Sequence, residues 1–238
     1  MDSTLKIFAM LLGVTLFLNV TMNYMGDNVD DFGNQPLPPV RPKSVETNNP
    51  VLKVNAQSKE KWTLVDFSSQ KTFQISDPEK DKTLMNQQDW DLGFQRTKII
   101  SNGGVTNPQG KVVIANLGPV DFNSVTQIPQ VSFVPDTRSW GNVNNPSIID
   151  WYLYRTRTHN IESKRNVYIA KTSDGLLKLR ILNYYCQRPE SECKHSMCPR
   201  DEAACLTVEY THIPSGEGAF PASEPSTPTP QQTAQAAP

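Results

Sequence analysis

Residues 88–104 read QDWDLGFQRTKIISNGG. In an extended chain Trp90, Leu92 and Phe94 fall on one face, and Asp91, Gly93 and Gln95 on the other. After the polar Arg96-Thr97-Lys98 the apolar pattern resumes at Ile99 and Ile100 and closes in Ser101-Asn102-Gly103-Gly104. The two glycines permit backbone angles that most residues resist. The stretch therefore predicts one long strand, half-buried and anchored by Trp90, that ends in a forced turn. Asp89 and Asp91 flank the tryptophan on the polar face and are expected to meet solvent.

Outward from this strand the pattern stays mostly β. Trp62–Phe67 and Lys71–Ile75 read as a hairpin about Ser68-Ser69-Gln70, and Lys111–Ala115 as a short apolar strand. Asn116–Asn145 is long, irregular and broken by Pro119, Pro129 and Pro135, the pattern of a binding loop. Pro146–Tyr154 fits a short helix or an edge strand, and a basic segment with Arg155, Arg157, His159, Lys164 and Arg165 follows. A meander completes the domain: Asn166–Thr172, an Asp174-Gly175 hairpin signal, Leu176–Tyr185 and Cys205–Ile213. In the last strand Leu206, Val208 and Tyr210 share a face. The fold class expected is mostly β, a single antiparallel β-rich domain over residues 58–213 behind one N-terminal transmembrane helix.

The flanks are different in kind. Ile7–Gly26 carries no charge, and its 20 residues at helical rise would span about 30 Å, enough to cross a bilayer. Residues 1–26 are therefore expected to be a membrane anchor. An uncleaved anchor is favoured over a signal sequence, because no small-residue cleavage site follows the apolar run. Lys6 before the segment and Asp27, Asp30 and Asp31 after it direct the domain to the extracytoplasmic, periplasmic side. Residues 27–57 are rich in Asn, Asp and Pro and read as a disordered linker. Residues 214–238 read as a disordered Pro/Ala-rich tail. The net charge of −1 gives no field that would hold nucleic acid.

The four cysteines, Cys186, Cys193, Cys198 and Cys205, lie between two expected strands. If those strands pair, Cys186 and Cys205 stand at the mouth of one loop. A nested pattern, Cys186–Cys205 outside and Cys193–Cys198 inside, is then preferred among the three pairings that four cysteines allow. A zinc site is the rival, but only Cys193 and Cys198 have a knuckle-like spacing. His195 and Met197 between them could together bind haem or copper, but a lone His-x-Met in a polar loop is more often simply exposed.

Taken together, the central stretch and the meander resemble the HmuY-like family of bacterial haem-binding proteins. The pattern that carries the resemblance is a Trp-Asp-Leu-x-Phe-x-Arg segment running into an Asn-Gly turn, Trp90 to Gly104. Later come Tyr168, Thr172, Asp174, Gly175, Lys178, Leu179, Tyr184 and Tyr185 in the same order. The likeness spans about residues 62–213. It implies a mostly β extracytoplasmic domain that captures haem between loops through histidine or methionine axial ligands. The resemblance implies one ligand in the long loop from Asn116 to Asn145, which holds neither residue type, and another in the region of His159, so His159 is the one candidate axial ligand it leaves. The residue type alone also fits a histidine that caps a turn beside Asn160. Arg155 and Arg157, with Lys164 and Arg165, are suited to haem propionates. Phe122, Phe133, Trp140 and Trp151 are candidates for an apolar wall.

Two functions follow. One is a membrane-tethered haem-binding or haem-handling protein. The other is a non-enzymatic interaction subunit of a membrane complex that keeps the fold without haem. No Gly-x-Ser-x-Gly, His-Glu-x-x-His, phosphate loop or Cys-x-x-Cys-His occurs, so an enzyme is not expected.

Overall fold

The computed structural model describes Phe8, residues 10–21, 47–193 and 196–221. Every strand pairing is antiparallel. Five strands form one sheet in the order β1 (Val51–Asn55), β13 (Ala203–Pro214), β12 (Gly175–Tyr185), β11 (Val167–Lys171), β6 (Val113–Asn116). Four form a second in the order β3 (Lys71–Ile75), β2 (Trp62–Asp66), β4 (Leu92–Gln95), β5 (Lys98–Ser101). Two ribbons stand apart, β7 (Thr137–Ser139) with β8 (Asn142–Asn144), and β9 (Tyr152–Arg155) with β10 (Asn160–Ser163).

The main core lies between the two sheets. Val65, Phe67, Leu92 and Phe94 from the smaller sheet pack with Leu177, Leu179, Leu206, Val208 and Tyr210 from the larger. The Phe67 and Tyr210 rings meet edge to face at 5.2 Å. Both sheets are also covered on their outer faces. The smaller sheet buries Trp62, Leu64 and Ile100 with Trp90 and with Met85 from the short helix α1 (Lys82–Gln87). On the larger sheet Ile169 and Ile213 pack against Phe220. There the Lys178 ammonium donates to the carbonyls of Phe122 and Val125, both at 2.9 Å. It lies over the Phe122 and Phe220 rings. Burial holds its pKa below the usual lysine range.

The hairpin β2–β3 and the meander β11–β12–β13 match their sequence patterns. The central stretch does not form one strand. It turns back at Arg96-Thr97, and Gln95 faces Lys98 across the hairpin β4–β5. Arg96 adopts φ 54°, a left-handed conformation. Contacts from elsewhere hold it there: its N–H donates to Ala56 O, and Trp151 Nε1–H donates to Thr97 O at 2.9 Å. Alternation also breaks before β4, since Trp90 packs in the outer cluster while Leu92 and Phe94 face the main core. Asp91, expected in solvent, is 3% exposed, and its Oδ2 accepts from Phe67 N–H at 2.9 Å. The closing glycines do act as a turn. A Cβ on Gly103 would lie 2.2 Å from Val112 O, so the close passage of these two backbones needs glycine.

Three corrections concern the flanks. Val51–Asn55, expected in the linker, is the edge strand β1, paired with β13 from Val51↔Glu209 to Asn55↔Cys205. The folded part thus begins before Ser58. The tail is not structureless at its start, because Phe220 is buried and its N–H donates to Thr126 O. Near the N-terminus Phe8 and residues 10–21 are helical, with Leu11, Phe17 and Val20 exposed. Among the described residues no helix is long and apolar enough to cross a membrane, so the expected transmembrane helix is not found. Twelve consecutive helical residues rise about 18 Å, short of a bilayer core. The rest of the expected span, with Ile7, Ala9 and residues 22–26, lies outside the described residues, as do the linker to residue 46 and the tail from residue 222.

The cysteines form the nested pair of disulfides, Cys186–Cys205 and Cys193–Cys198, and among the described residues none is free for zinc. The outer bond joins the facing ends of β12 and β13 across a sequence separation of 19. Loop closure of this length restricts the unfolded chain by about 3 kcal/mol. Replacing both Cys186 and Cys205 with Ser is therefore expected to lower the unfolding free energy by about that amount in urea titration. An unchanged midpoint would show that strand pairing alone holds the loop.

Candidate functional site

The candidate ligand residues sit on the ribbon β9–β10, whose first strand falls largely in the stretch that fits a helix or an edge strand and whose second falls in the basic segment after it. Its register pairs Arg155 with Asn160, Tyr154 with Ile161, Leu153 with Glu162 and Tyr152 with Ser163. The base is fixed to β12. Ser163 Oγ donates to Ile181 O at 2.6 Å, and Ile161 N–H donates to the Tyr185 hydroxyl at 3.0 Å. Burial pushes the Tyr185 phenol up from its ordinary pKa, which keeps it neutral as an acceptor there. Trp151 closes the base from below, packed edge to face on Tyr152 and tilted on Tyr184.

His159 occupies the exposed tip with φ 56°. Its Nδ1 shares a hydrogen bond of 2.6 Å with the Tyr154 hydroxyl. When Nδ1–H donates to that oxygen, Nε2 keeps a free lone pair directed away from the ribbon's own bond. Metal-binding histidines are commonly held in this way, one ring nitrogen oriented by a neighbour and the other left to the metal. Arg157 is exposed on the same tip. Arg155 plays another part. Its Nε and Nη2 donate to Glu162 at 2.8 and 2.6 Å, which ties the two strands of the ribbon together. A guanidinium so engaged is less available to a propionate than Arg157.

Beside the tip lies the inner disulfide loop. Asn160 Nδ2 donates to Cys193 O at 2.9 Å and to Ser196 O at 2.8 Å, and Asn160 Oδ1 accepts from Cys198 N–H at 2.8 Å. This brings the loop of Met197, 45% exposed, against the residue that follows His159. His195 lies outside the described residues. Among the described residues no three histidine, cysteine or carboxylate side chains gather into a metal cage.

The four aromatic residues expected to form a wall are not brought together. Phe122 covers Lys178, Phe133 lies under Lys171 at 4.2 Å, and Trp151 belongs to the main core. Trp140 stands 99% exposed at the turn of the ribbon β7–β8 with φ 50°. A cleft of about 200 Å³ opens below that ribbon, between Trp62, Lys98, Ile100, Arg138 and Val143. It is smaller than the ~300 Å³ at which small-molecule sites usually begin, so it does not compete as a cofactor pocket.

The sequence offers His159 as a candidate by residue type, while Tyr154, Glu162 and Asn160 become its neighbours only through ribbon closure. An edge strand to Tyr154 fits the sequence, but the basic run after it gives no signal for the return strand that puts Tyr154 beside a histidine five residues away. The donor set suits haem: a held imidazole, an exposed guanidinium on the same tip and a thioether on the adjoining loop.

A family model described as HmuY protein matches residues 58–196, more than half of the 238-residue chain. The chain belongs to the HmuY family. Among curated proteins none matches its sequence. Solved structures show the same fold. The apo HmuY analogue of Tannerella forsythia is 15% identical, with a TM-score of 0.52 over 73% of this chain and 100% of that one. Apo PinO from Porphyromonas gingivitis is 12% identical, with a TM-score of 0.52 over 71% of this chain and 98% of that one. At such identity the likeness bears on the HmuY fold alone, and the site must be argued from this chain's own residues.

Proposed function

We propose that this HmuY-family domain is a non-enzymatic haem-binding protein that takes haem on the face made by the β9–β10 ribbon and the Cys193–Cys198 loop. The observation that carries the reading is the 2.6 Å bond between His159 Nδ1 and the Tyr154 hydroxyl, which orients an exposed imidazole and, with Nδ1–H as donor, leaves Nε2 unprotonated. Haem supplies an iron atom open to axial ligation by such a nitrogen. His159 would hold the iron through its free ring nitrogen, and Arg157 would offer a charge-assisted hydrogen bond to a haem carboxylate. Arg155 keeps the ribbon closed through Glu162. Met197 is the second soft donor of the same face. The domain works on the extracytoplasmic side, where two disulfides persist. The exposed apolar helix near the N-terminus tethers it to the membrane.

A haemin titration of the protein, followed by Soret absorbance, tests this. The wild type is expected to saturate at micromolar haemin with a low-spin spectrum. His159→Ala is expected to weaken binding at least tenfold and shift the spectrum towards high spin. The reading fails if the wild type shows no saturable Soret change, and His159 is the wrong ligand if the mutant binds as the wild type does.

One observation favours the second reading, an interaction subunit of a membrane complex. Trp140 is held in a left-handed turn with its whole indole in water. Both features cost free energy, and large exposed aromatics at strained positions are characteristic of binding anchors.

A further inference from the structure

We infer that the Cys193–Cys198 loop is a socket that aims His159 through Asn160, which makes Asn160 a positioning residue for the ligand face. The inference rests on the haem reading for its purpose and on the ligand-free geometry for its substance.

Asn160 is 7% exposed and its amide is fully engaged by this one loop. Both Nδ2 protons go to loop carbonyls, Cys193 O and Ser196 O, and Oδ1 takes the Cys198 N–H. The three partner groups come from the two bonded cysteines and a residue between them. The disulfide, with a sequence separation of 5, is what keeps these carbonyls and this N–H turned towards one point. Asparagine suits the socket because it offers two donors and one acceptor. An aspartate would face two carbonyls without a donor. An alanine would remove all three bonds and leave the N–H of buried Cys198 without this acceptor, while Cys193 O would keep only the Ser196 N–H.

His159 immediately precedes Asn160 and has a left-handed backbone, φ 56°. A bulky residue adopts such a conformation when its surroundings impose it. The fixed Asn160 imposes it here, and the conformation in turn sets where the imidazole meets Tyr154. The base of the ribbon has separate supports, Ser163 Oγ on Ile181 O and Tyr185 on Ile161 N–H. Opening the socket should therefore free the tip and leave the fold in place.

Two variants open it from opposite sides, Asn160→Ala and the double change Cys193→Ser with Cys198→Ser. In the ligand-free protein, backbone amide exchange is expected to rise at residues 156–160 in both, and to stay at the wild-type rate at Ile161 and in β11 and β13. Haemin affinity is expected to fall about 10- to 100-fold in both, the usual cost of losing a group that orients a metal ligand. Combining the changes should cost no more than either alone, because they interrupt one path. Exchange at the tip that is unchanged in both variants overturns the inference, whatever haemin does. Wild-type affinity and spectrum in both variants also overturn it. If the wild type itself binds no haemin, the haem reading falls and the exchange comparison still decides the socket. Should Asn160→Ala fail to fold, the cysteine pair carries the same comparison.

Discussion

Trp90→Ala is expected to lower the unfolding free energy by about 3–5 kcal/mol, the range for deleting a large aromatic from a packed core. Trp90 is 1% exposed and sits among Trp62, Leu64, Ile75, Met85 and Ile100. This cluster joins three parts of the chain: the smaller sheet, α1 and the entry to β4. The indole Nε1–H donates to Met85 O at 3.2 Å, which links α1 to the sheet, and Asn102 Nδ2 donates to Trp90 O at 2.8 Å. Little can collapse into the space. Gly93 is next to the cluster, but a Cβ there would already stand 2.5 Å from Leu64 Cδ2, so the neighbours are packed tightly against the backbone. Trp90→Phe keeps most of the apolar contact and loses the Nε1 bond, so it should cost clearly less than the alanine. Urea unfolding followed by far-UV circular dichroism measures both. A loss below about 1 kcal/mol for the alanine would show that α1 and its cluster are an appendage of the sheet and not part of its support.

What sequence conveyed about this fold was what local pattern encodes. The meander was legible because Asp174-Gly175 marks its turn and apolar alternation marks its strands. Disulfide nesting followed from the pairing of those strands. The hairpin at Arg96-Thr97 was not legible, since neither residue is a turn former and the bend is held by Ala56 O and by Trp151 from far along the chain. The strand β1 has a weak pattern of its own and exists through its pairing with β13. At the candidate site the histidine was visible as a residue type. The groups that orient it, Tyr154 and Asn160, become partners only after the ribbon and the cysteine loop close. The expected aromatic wall failed for a related reason. Phe122 and Phe220 cover a buried lysine, and nothing in the sequence says that Lys178 points inward.

The second large effect lies at Asp91, beside Trp90 in sequence but turned into the protein. Burial pushes its carboxyl up to about 7, with the charges of Asp174, Asp66 and Asp89 adding to the rise and the Phe67 N–H opposing it. Its unfolded pKa stays near the ordinary 3.8. Between these values the folded protein holds a proton that the unfolded chain has released. Stability from this group is thus complete below about pH 4 and is lost as pH rises through 7. A shift of this size corresponds to about 4 kcal/mol between the two limits. Asp91→Asn removes the titration and retains an oxygen for the Phe67 N–H. The variant should therefore be more stable than the wild type at pH 8, with the advantage shrinking steadily towards pH 4.5. Comparing the two proteins removes most of the opposite slopes of Asp66 and Asp174, whose pKa values are lowered by hydrogen bonds to serine and threonine hydroxyls, and leaves only their coupling to Asp91. Urea titrations of both proteins across that range would decide the matter. Parallel stability curves would mean that Asp91 stays ionised when buried, and that the Phe67 N–H and hydration compensate for its charge. A converging pair would mean that the smaller sheet of this HmuY-family domain is built around a carboxylic acid that is neutral in acid and strained at alkaline pH.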